Sequence, residues 1–374
     1  MAEPAVSLYL GLISGTSADG VDAALVRFAP RFEILASSTH PYPDDLRARI
    51  LALARNRAMI ALDDLGHLDT EIGERFAEAA AALLRQADIA AGDVAAIGSH
   101  GQTVCHRARG PFPFTLQLGD PNVIAERTGV ATAADFRRAD IAAGGQGAPL
   151  LPALHAALLA DAATSRAILN LGGIANLTLL VPGTPVVGFD TGPANCLLDA
   201  WSLRHRRRPR DEGGAWARSG RVDESVLARL LDDPYFAAPP PKSTGREQFN
   251  LDWLDDRLPP DPEPADVQAT LLQFSVQTIA DALRTRAPGI REVYACGGGV
   301  HNAALMGALG AALPDARLDT TAALGLDPDF VEAVGFAWLA RQRLLGLPGN
   351  LSSVTGARGP RVLGVLAAAP PGTD

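Results

Sequence analysis

Residues 6–28 read VSLYLGLISGTSADGVDAALVRF, two apolar runs flanking the small polar segment TSADG. An apolar run, a tight polar turn and a second apolar run predict two antiparallel strands. The same outline returns further on: residues 167–171 (AILNL) predict a strand, GGIAN a loop and residues 177–181 (LTLLV) a second strand. The echo suggests a duplicated core. Between the two copies, Leu65, Leu68, Ile72, Phe76, Ala80 and Leu83 recur at three and four, which predicts a helix over residues 63–87. Residues 94–98 predict a short buried strand ending in SHGQT, residues 115–118 another, and residues 121–128 a helix opened by Pro121 after Asp120. Further helices are expected over 194–203, 267–286, 303–312 and 329–345, with a strand at 292–296. Strands alternating with helices predict an α/β protein, and the paired hairpins predict mixed rather than purely parallel sheets.

The chain has 374 residues, 47% of them hydrophobic, which is more than one core usually organises, so two domains are expected. The glycine-rich chemistry of residues 132–150 marks the first boundary, giving one lobe of 1–140 with 348–374 and a second of 141–347. No stretch approaches the roughly 20 apolar residues of a bilayer span, and the start of the chain lacks a basic segment and a cleavage pattern. A cytoplasmic protein without a membrane partner is expected. Cys105, Cys196 and Cys296 form no CxxC and read as small buried residues. A net charge of −9 disfavours nucleic acid, and the basic stretch RHRRRPR at 204–210 reads as a solvated loop. Of the 33 basic residues only Lys242 is lysine. A compact ammonium is not interchangeable with a planar guanidinium in a tight site, so the survivor hints at a local task; a surface lysine left by chance is the alternative.

Three glycine-rich turns follow apolar strands: SGTSADG, GGIAN and CGGGVHN. Small residues there let backbone N–H groups converge on an anion, and three together favour a nucleotide. GxxxxGK[ST] and GxGxxG are both missing, which removes support for P-loop and nicotinamide enzymes. Asp19 and Asp22 lie on the first turn, Asp190 follows residues 186–189, and Glu332 opens the last long helix. Such carboxylates can accept a proton or hold Mg²⁺ through one or two oxygens; they can equally cap turns. Both readings stand for Asp19, Asp22 and Glu332, whereas Asp190 is read as functional. The seven histidines have no metal-ligand spacing, and His100 reads as part of a hydrogen-bonding loop.

With these residues the chain resembles the anhydro-N-acetylmuramic acid kinase family of the sugar kinase, heat-shock cognate and actin superfamily. The likeness rests on GTSADGVD at 15–22, GSHGQT at 98–103, DFRRADIAAGGQGAPL at 135–150, NLGGIAN at 170–176, FDTGPAN at 189–195, PPKSTGREQFN at 240–250, CGGGVHN at 296–302 and VTGA at 354–357. It implies the two-domain, actin-like ATPase (ribonuclease H-like) fold, with mixed sheets and a central nucleotide cleft. It implies ATP contacts from Gly15, Thr16, Ser17, Ala18, Asp19, Gly20, Val21 and Asp22, from Gly172 and Gly173, and from Gly297, Gly298 and Gly299. Asp190 becomes the expected catalytic base. Thr103, Arg137 and Lys242 are expected to meet the sugar, and Glu332 and Asp19 to orient Mg²⁺ through its waters. The implied reaction opens 1,6-anhydro-N-acetylmuramic acid with water and phosphorylates O6 from ATP, in peptidoglycan recycling. A homodimer is implied too. An ordinary hexose kinase of the same superfamily and a non-catalytic ATP switch are the competing readings.

Overall fold

The computed structural model describes residues 7–54 and 59–371, and the chain divides into two compact units, residues 1–154 with 330–374 and residues 155–329. In the first unit, β1 (Leu8–Ser14), β2 (Gly20–Arg27) and β3 (Glu33–Pro41) form an antiparallel meander. β4 (Val94–Arg107) lies parallel to β1, and β6 (Thr132–Ala134) parallel to β4. β5 (Phe114–Leu118) pairs back on β4, and β12 (Val365–Ala367) closes the edge beside β6. The order is therefore β12-β6-β4-β1-β2-β3.

The second unit repeats this plan. β7 (Arg166–Leu171), β8 (Ile174–Leu180) and β9 (Val187–Pro193) form the meander, and β10 (Glu292–Cys296) and β11 (Arg317–Thr320) add parallel strands on the far side of β7. The order β11-β10-β7-β8-β9 matches β6-β4-β1-β2-β3 strand for strand. Three antiparallel strands followed by two parallel ones is the ribonuclease H-like arrangement, and its duplication is that of actin-like ATPases.

The central strand β1 is buried along its whole length because helices cover both faces. Leu8, Leu10 and Leu12 pack with Leu68, Ile72, Phe76 and Leu83 of the helix Leu62–Ala87. On the opposite face the helix Val331–Leu345 comes so close that a methyl group on Gly11 would overlap the Ala333 carbonyl, and one on Gly98 that of Phe336. A strand buried on both sides reads as a continuous apolar run, as β1 does.

Several local expectations change. β4 runs for 14 residues, so SHGQT lies inside a strand and not in a loop after it. The stretch 132–150 holds β6 and the helix Arg138–Ala142. Asp190 stands inside β9, opposite Asn176, not at a strand end. The unit boundaries fall at 154/155 and 329/330 rather than 140/141 and 347/348, because the helix Val331–Leu345 packs on β1 and β4.

Candidate active site

In the second unit the glycine turn after β7 is held by the N-terminus of the helix Asn195–Arg206. The amides of Ala194 and Cys196 donate to the Gly173 carbonyl at 3.0 Å, and that of Asn195 to Gly172 at 3.1 Å. Asn195 Nδ2 donates to the carbonyls of Leu171 (2.9 Å) and Gly172 (2.8 Å). With its carbonyls turned toward the helix, the turn is left with its N–H edge for a ligand. The turn after β10 abuts the same place: Gly297 has φ +80° and sits on the Asn170 side chain, and Gly299 packs on Leu171. A side chain at Gly298 would meet open space. The expected nucleotide glycines of this unit thus share one surface, Gly297 and Gly299 shaping it and Gly298 facing outward.

Asp190 projects from β9 beneath a strap formed by residues 235–248. Its Oδ2 accepts the Thr244 amide at 3.0 Å, and its backbone N–H donates to the Lys242 carbonyl at 3.2 Å. Tyr235 Oη donates to the Asp190 carbonyl at 2.7 Å. Oδ1 takes no hydrogen bond from the described residues. Burial pushes the carboxyl up to about 6; Glu247 adds to this, while the Thr244 amide and Lys242 pull the other way. Desolvation of the charged form is the dominant cause, and it places the group where a carboxylate is both ionised and basic near neutrality. Lys242 donates to the carbonyls of Tyr235 (3.0 Å) and Phe236 (3.4 Å). Arg246, not singled out by sequence reasoning, lays its guanidinium against Gly173. Its place inside PPKSTGREQFN was the signal available.

In the first unit the turn between β1 and β2 brings Ala18 back onto Gly15, whose carbonyl accepts the Ala18 amide at 3.1 Å and Gln102 Nε2 at 3.2 Å. A side chain at Gly15 would meet open space, whereas one at Gly20 would strike the β3 backbone. Thr16 and Ser17 form the turn itself, and Val21 is buried in β2. Asp19 is exposed and pairs with Arg47 at 2.9 Å. Asp22 accepts from Thr39 Oγ1 at 2.6 Å. Thr103 lies on β4 with its hydroxyl on Gln117 Nε2 at 3.1 Å.

A second titratable cluster lies in this unit around Arg137. Its guanidinium donates to the Gly147 carbonyl (2.7 Å) and, through Nε and Nη2, to His100 Nε2 at 3.1 and 2.9 Å. Accepting from a guanidinium leaves His100 neutral; burial and Arg137 both hold its pKa well below the usual range. Burial also lowers Arg137, to about 10, against the pull of Glu332 and Asp140. Glu332 keeps surface open to water yet is crowded by protein atoms; its carboxyl is raised, chiefly by desolvation and further by Asp22, with Arg137 opposing. Asp140 anchors the group from beneath. Its oxygens accept Gly147 N–H (2.7 Å), Asn350 Nδ2 (2.6 Å) and Thr355 Oγ1 (2.7 Å). One residue, Gly147, therefore links the buried carboxylate to Arg137. The sequence reading gives Asp140 no role and His100 only a place in a hydrogen-bonding loop; burial is what marks both.

The family model described as Anhydro-N-acetylmuramic acid kinase matches residues 7–369, almost the whole chain. The chain belongs to the anhydro-N-acetylmuramic acid kinase family. Proteins bearing that name from Xylella fastidiosa, Chromohalobacter salexigens and Coxiella burnetii are 54%, 52% and 48% identical to it. Each alignment covers 96% of this chain, and 96%, 99% and 96% of the respective relative. A glucokinase from Streptomyces griseus, solved with glucose and AMPPNP, is 15% identical, with a TM-score of 0.40, over 90% of this chain and the whole of that one. The anhydro-N-acetylmuramic acid kinase motifs that carried the resemblance converge, unit by unit, on the two surfaces just described.

Proposed function

We infer that this chain is an ATP-dependent kinase that opens 1,6-anhydro-N-acetylmuramic acid with water and phosphorylates O6, releasing N-acetylmuramic acid 6-phosphate and ADP for peptidoglycan recycling. The observation that carries this reading is Asp190, a desolvated carboxylate with one oxygen fixed by the Thr244 amide and the other unengaged among the described residues. Oδ1 takes a proton from water as the water oxygen bonds to C1. The C1–O6 bond breaks, and O6 bonds to the γ-phosphorus as the bond to the ADP oxygen breaks. A positioned base contributes about 10²–10⁴-fold to such a step. Phosphoryl transfer itself needs placement and charge neutralisation. The amides of the turns at 15–22 and 170–176 suit ATP phosphates, the open sides of Gly15 and Gly298 suit close approach, and Arg246 adds a positive charge beside Gly173.

The donor chemistry of the first unit suits magnesium. Glu332 and Asp22 oppose one another electrostatically, and a divalent cation relieves that repulsion; Mg²⁺ characteristically takes one or two carboxylates together with phosphates and waters. We place it, with ATP, at Glu332 and Asp22, where it neutralises phosphate charge. Asp19 fits less well, because Arg47 already holds its carboxylate. Chelation with EDTA should abolish turnover, with recovery on adding excess Mg²⁺; undiminished ADP release would rule the metal out. Thr103, Arg137 and the Arg137-bound His100 offer polar groups of the kind a sugar needs, and we assign them to it.

The deciding assay is ADP release from Mg-ATP with 1,6-anhydro-N-acetylmuramic acid, N-acetylmuramic acid, N-acetylglucosamine or glucose. Stimulation by the anhydro sugar alone is expected. Stimulation by an ordinary hexose would turn Asp190 toward a sugar hydroxyl, and stimulation by none would favour an ATP switch.

A further inference from the structure

The single lysine stands where its shape matters. Its ammonium donates to two successive carbonyls, Tyr235 at 3.0 Å and Phe236 at 3.4 Å, and sits 4.5 Å from the centre of the Tyr235 ring. Both carbonyls close the short helix Pro234–Ala237. The same residue's own carbonyl accepts the Asp190 amide at 3.2 Å, and two residues on, the Thr244 amide reaches Asp190 Oδ2 at 3.0 Å. Tyr235, beneath the ammonium, donates its hydroxyl to the Asp190 carbonyl at 2.7 Å. Lys242 is thus the knot between two parts of the strap, 235–236 and 242–244, and both parts are hydrogen-bonded to Asp190. The strap is seated from below by Phe236 and Phe249, stacked 5.6 Å apart, and by the edge of Phe274 on Phe236.

We propose that Lys242 is a positioning residue for Asp190: by tying residues 242–244 to the helix end at Tyr235 and Phe236, it holds the Thr244 amide on Oδ2 and leaves Oδ1 aimed at the reacting water. It is not a sugar contact in this assignment. The proposal rests on the kinase reading of Asp190 given above. An arginine cannot substitute, because its planar fork spreads donors over a wider plane than two adjacent carbonyls and one ring face accept, whereas a tetrahedral ammonium points separate protons at each. This accounts for lysine surviving at one position in a chain that otherwise uses arginine throughout.

The test compares Lys242→Met, Lys242→Arg and Tyr235→Phe in the full-length protein. Tyr235→Phe keeps the ring under the ammonium and removes only the hydroxyl on Asp190, so it reports on the same scaffold if Lys242→Met folds poorly. Loss of placement by a fraction of an ångström should lower kcat by about 10–100-fold with KM for sugar and ATP changed by less than about threefold. Lys242→Arg should share the defect, and Tyr235→Phe should show it in milder form. The acid limb of the kcat–pH profile should move upward in Lys242→Met; Glu247, Lys242 and Tyr235 are the charged or titratable groups facing Asp190. Hydrogen exchange of the Asp190 and Thr244 amides should accelerate in Lys242→Met and Lys242→Arg, a readout independent of any sugar. A raised sugar KM at unchanged kcat would overturn the proposal in favour of a substrate contact. So would wild-type exchange and kinetics in Lys242→Arg. If the wild-type protein turns over none of the sugars, the kinase reading falls, while the exchange data still decide whether Lys242 holds the strap.

Discussion

At Asp190 one physical cause, desolvation of a carboxylate, has opposite consequences for catalysis and for stability. With its carboxyl at about 6, turnover should fall as pH drops through that value, and Asp190→Asn should keep ATP binding while losing about 10³-fold or more in turnover. Near-wild-type rates in that variant would sink the assignment. Stability runs the other way. The folded carboxyl holds its proton more tightly than the unfolded one near 3.8, so the folded state loses stability as pH rises from about 4 to about 6, and the cost is fully present above that. Asparagine keeps the oxygen that accepts the Thr244 amide and carries no charge. Allowing for the partial exposure of the residue, Asp190→Asn should be more stable than wild type by about 1–2 kcal/mol at pH 8, with the difference vanishing below pH 4. Thermal melts across this range check it; a variant less stable than wild type at pH 8 would show that the ionised carboxylate is stabilised by its surroundings.

Among the elements, the contact of helix Val331–Leu345 with β1 and β4 shows why some features were legible in the sequence and others were not. The apolar runs of β1, β2, β7 and β8 announce themselves because both faces of those strands are covered. The period of the helix Leu62–Ala87 is equally plain because one face lies on the core. β3 carries no such signal: its side chains are mostly partly exposed, and EILASSTHP has neither a continuous apolar run nor strict alternation. SHGQT reads as a loop because it is polar, yet its residues are mostly buried in β4, with Gln102 satisfying Gly15 and His100 accepting from Arg137. Such pairings cross more than thirty residues of sequence and leave no local trace. Glycine roles were mixed for the same reason: Gly15 faces open space, but Gly11, Gly20 and Gly98 are glycine because another backbone passes too near for a side chain. Gly98→Ala should therefore cost stability by about 2–4 kcal/mol through overlap with the Phe336 carbonyl. Urea unfolding would reveal it, and a loss below 1 kcal/mol would mean that the helix can step away at little cost.

On the scale of the whole chain, the duplicated fold is not cut into two consecutive halves. The second unit is one continuous segment, 155–329, with its own five-stranded sheet and a core running from Ala167 to Leu313. The first is discontinuous: its sheet is covered on one face by the helix Val331–Leu345 and closed at its edge by β12, both supplied after the second unit has been completed. Asp140, with bonds to Asn350 and Thr355, fastens that returning segment. A fragment of residues 155–329 carries its core within itself and should fold alone. A fragment of residues 1–154 leaves the face of β1 and β4 around Gly11 and Gly98 bare, together with an Asp140 Oδ1 that has lost its Asn350 and Thr355 donors, and should not. Circular dichroism and cooperative thermal melting of the two fragments would separate these outcomes. Adding a peptide of residues 330–371 to the first fragment should restore cooperativity, since the missing helix and strand are what it lacks. Cooperative folding of 1–154 by itself would mean that the meander and the helix Leu62–Ala87 suffice, and that the returning segment serves the Arg137 and Glu332 cluster rather than the stability of the sheet.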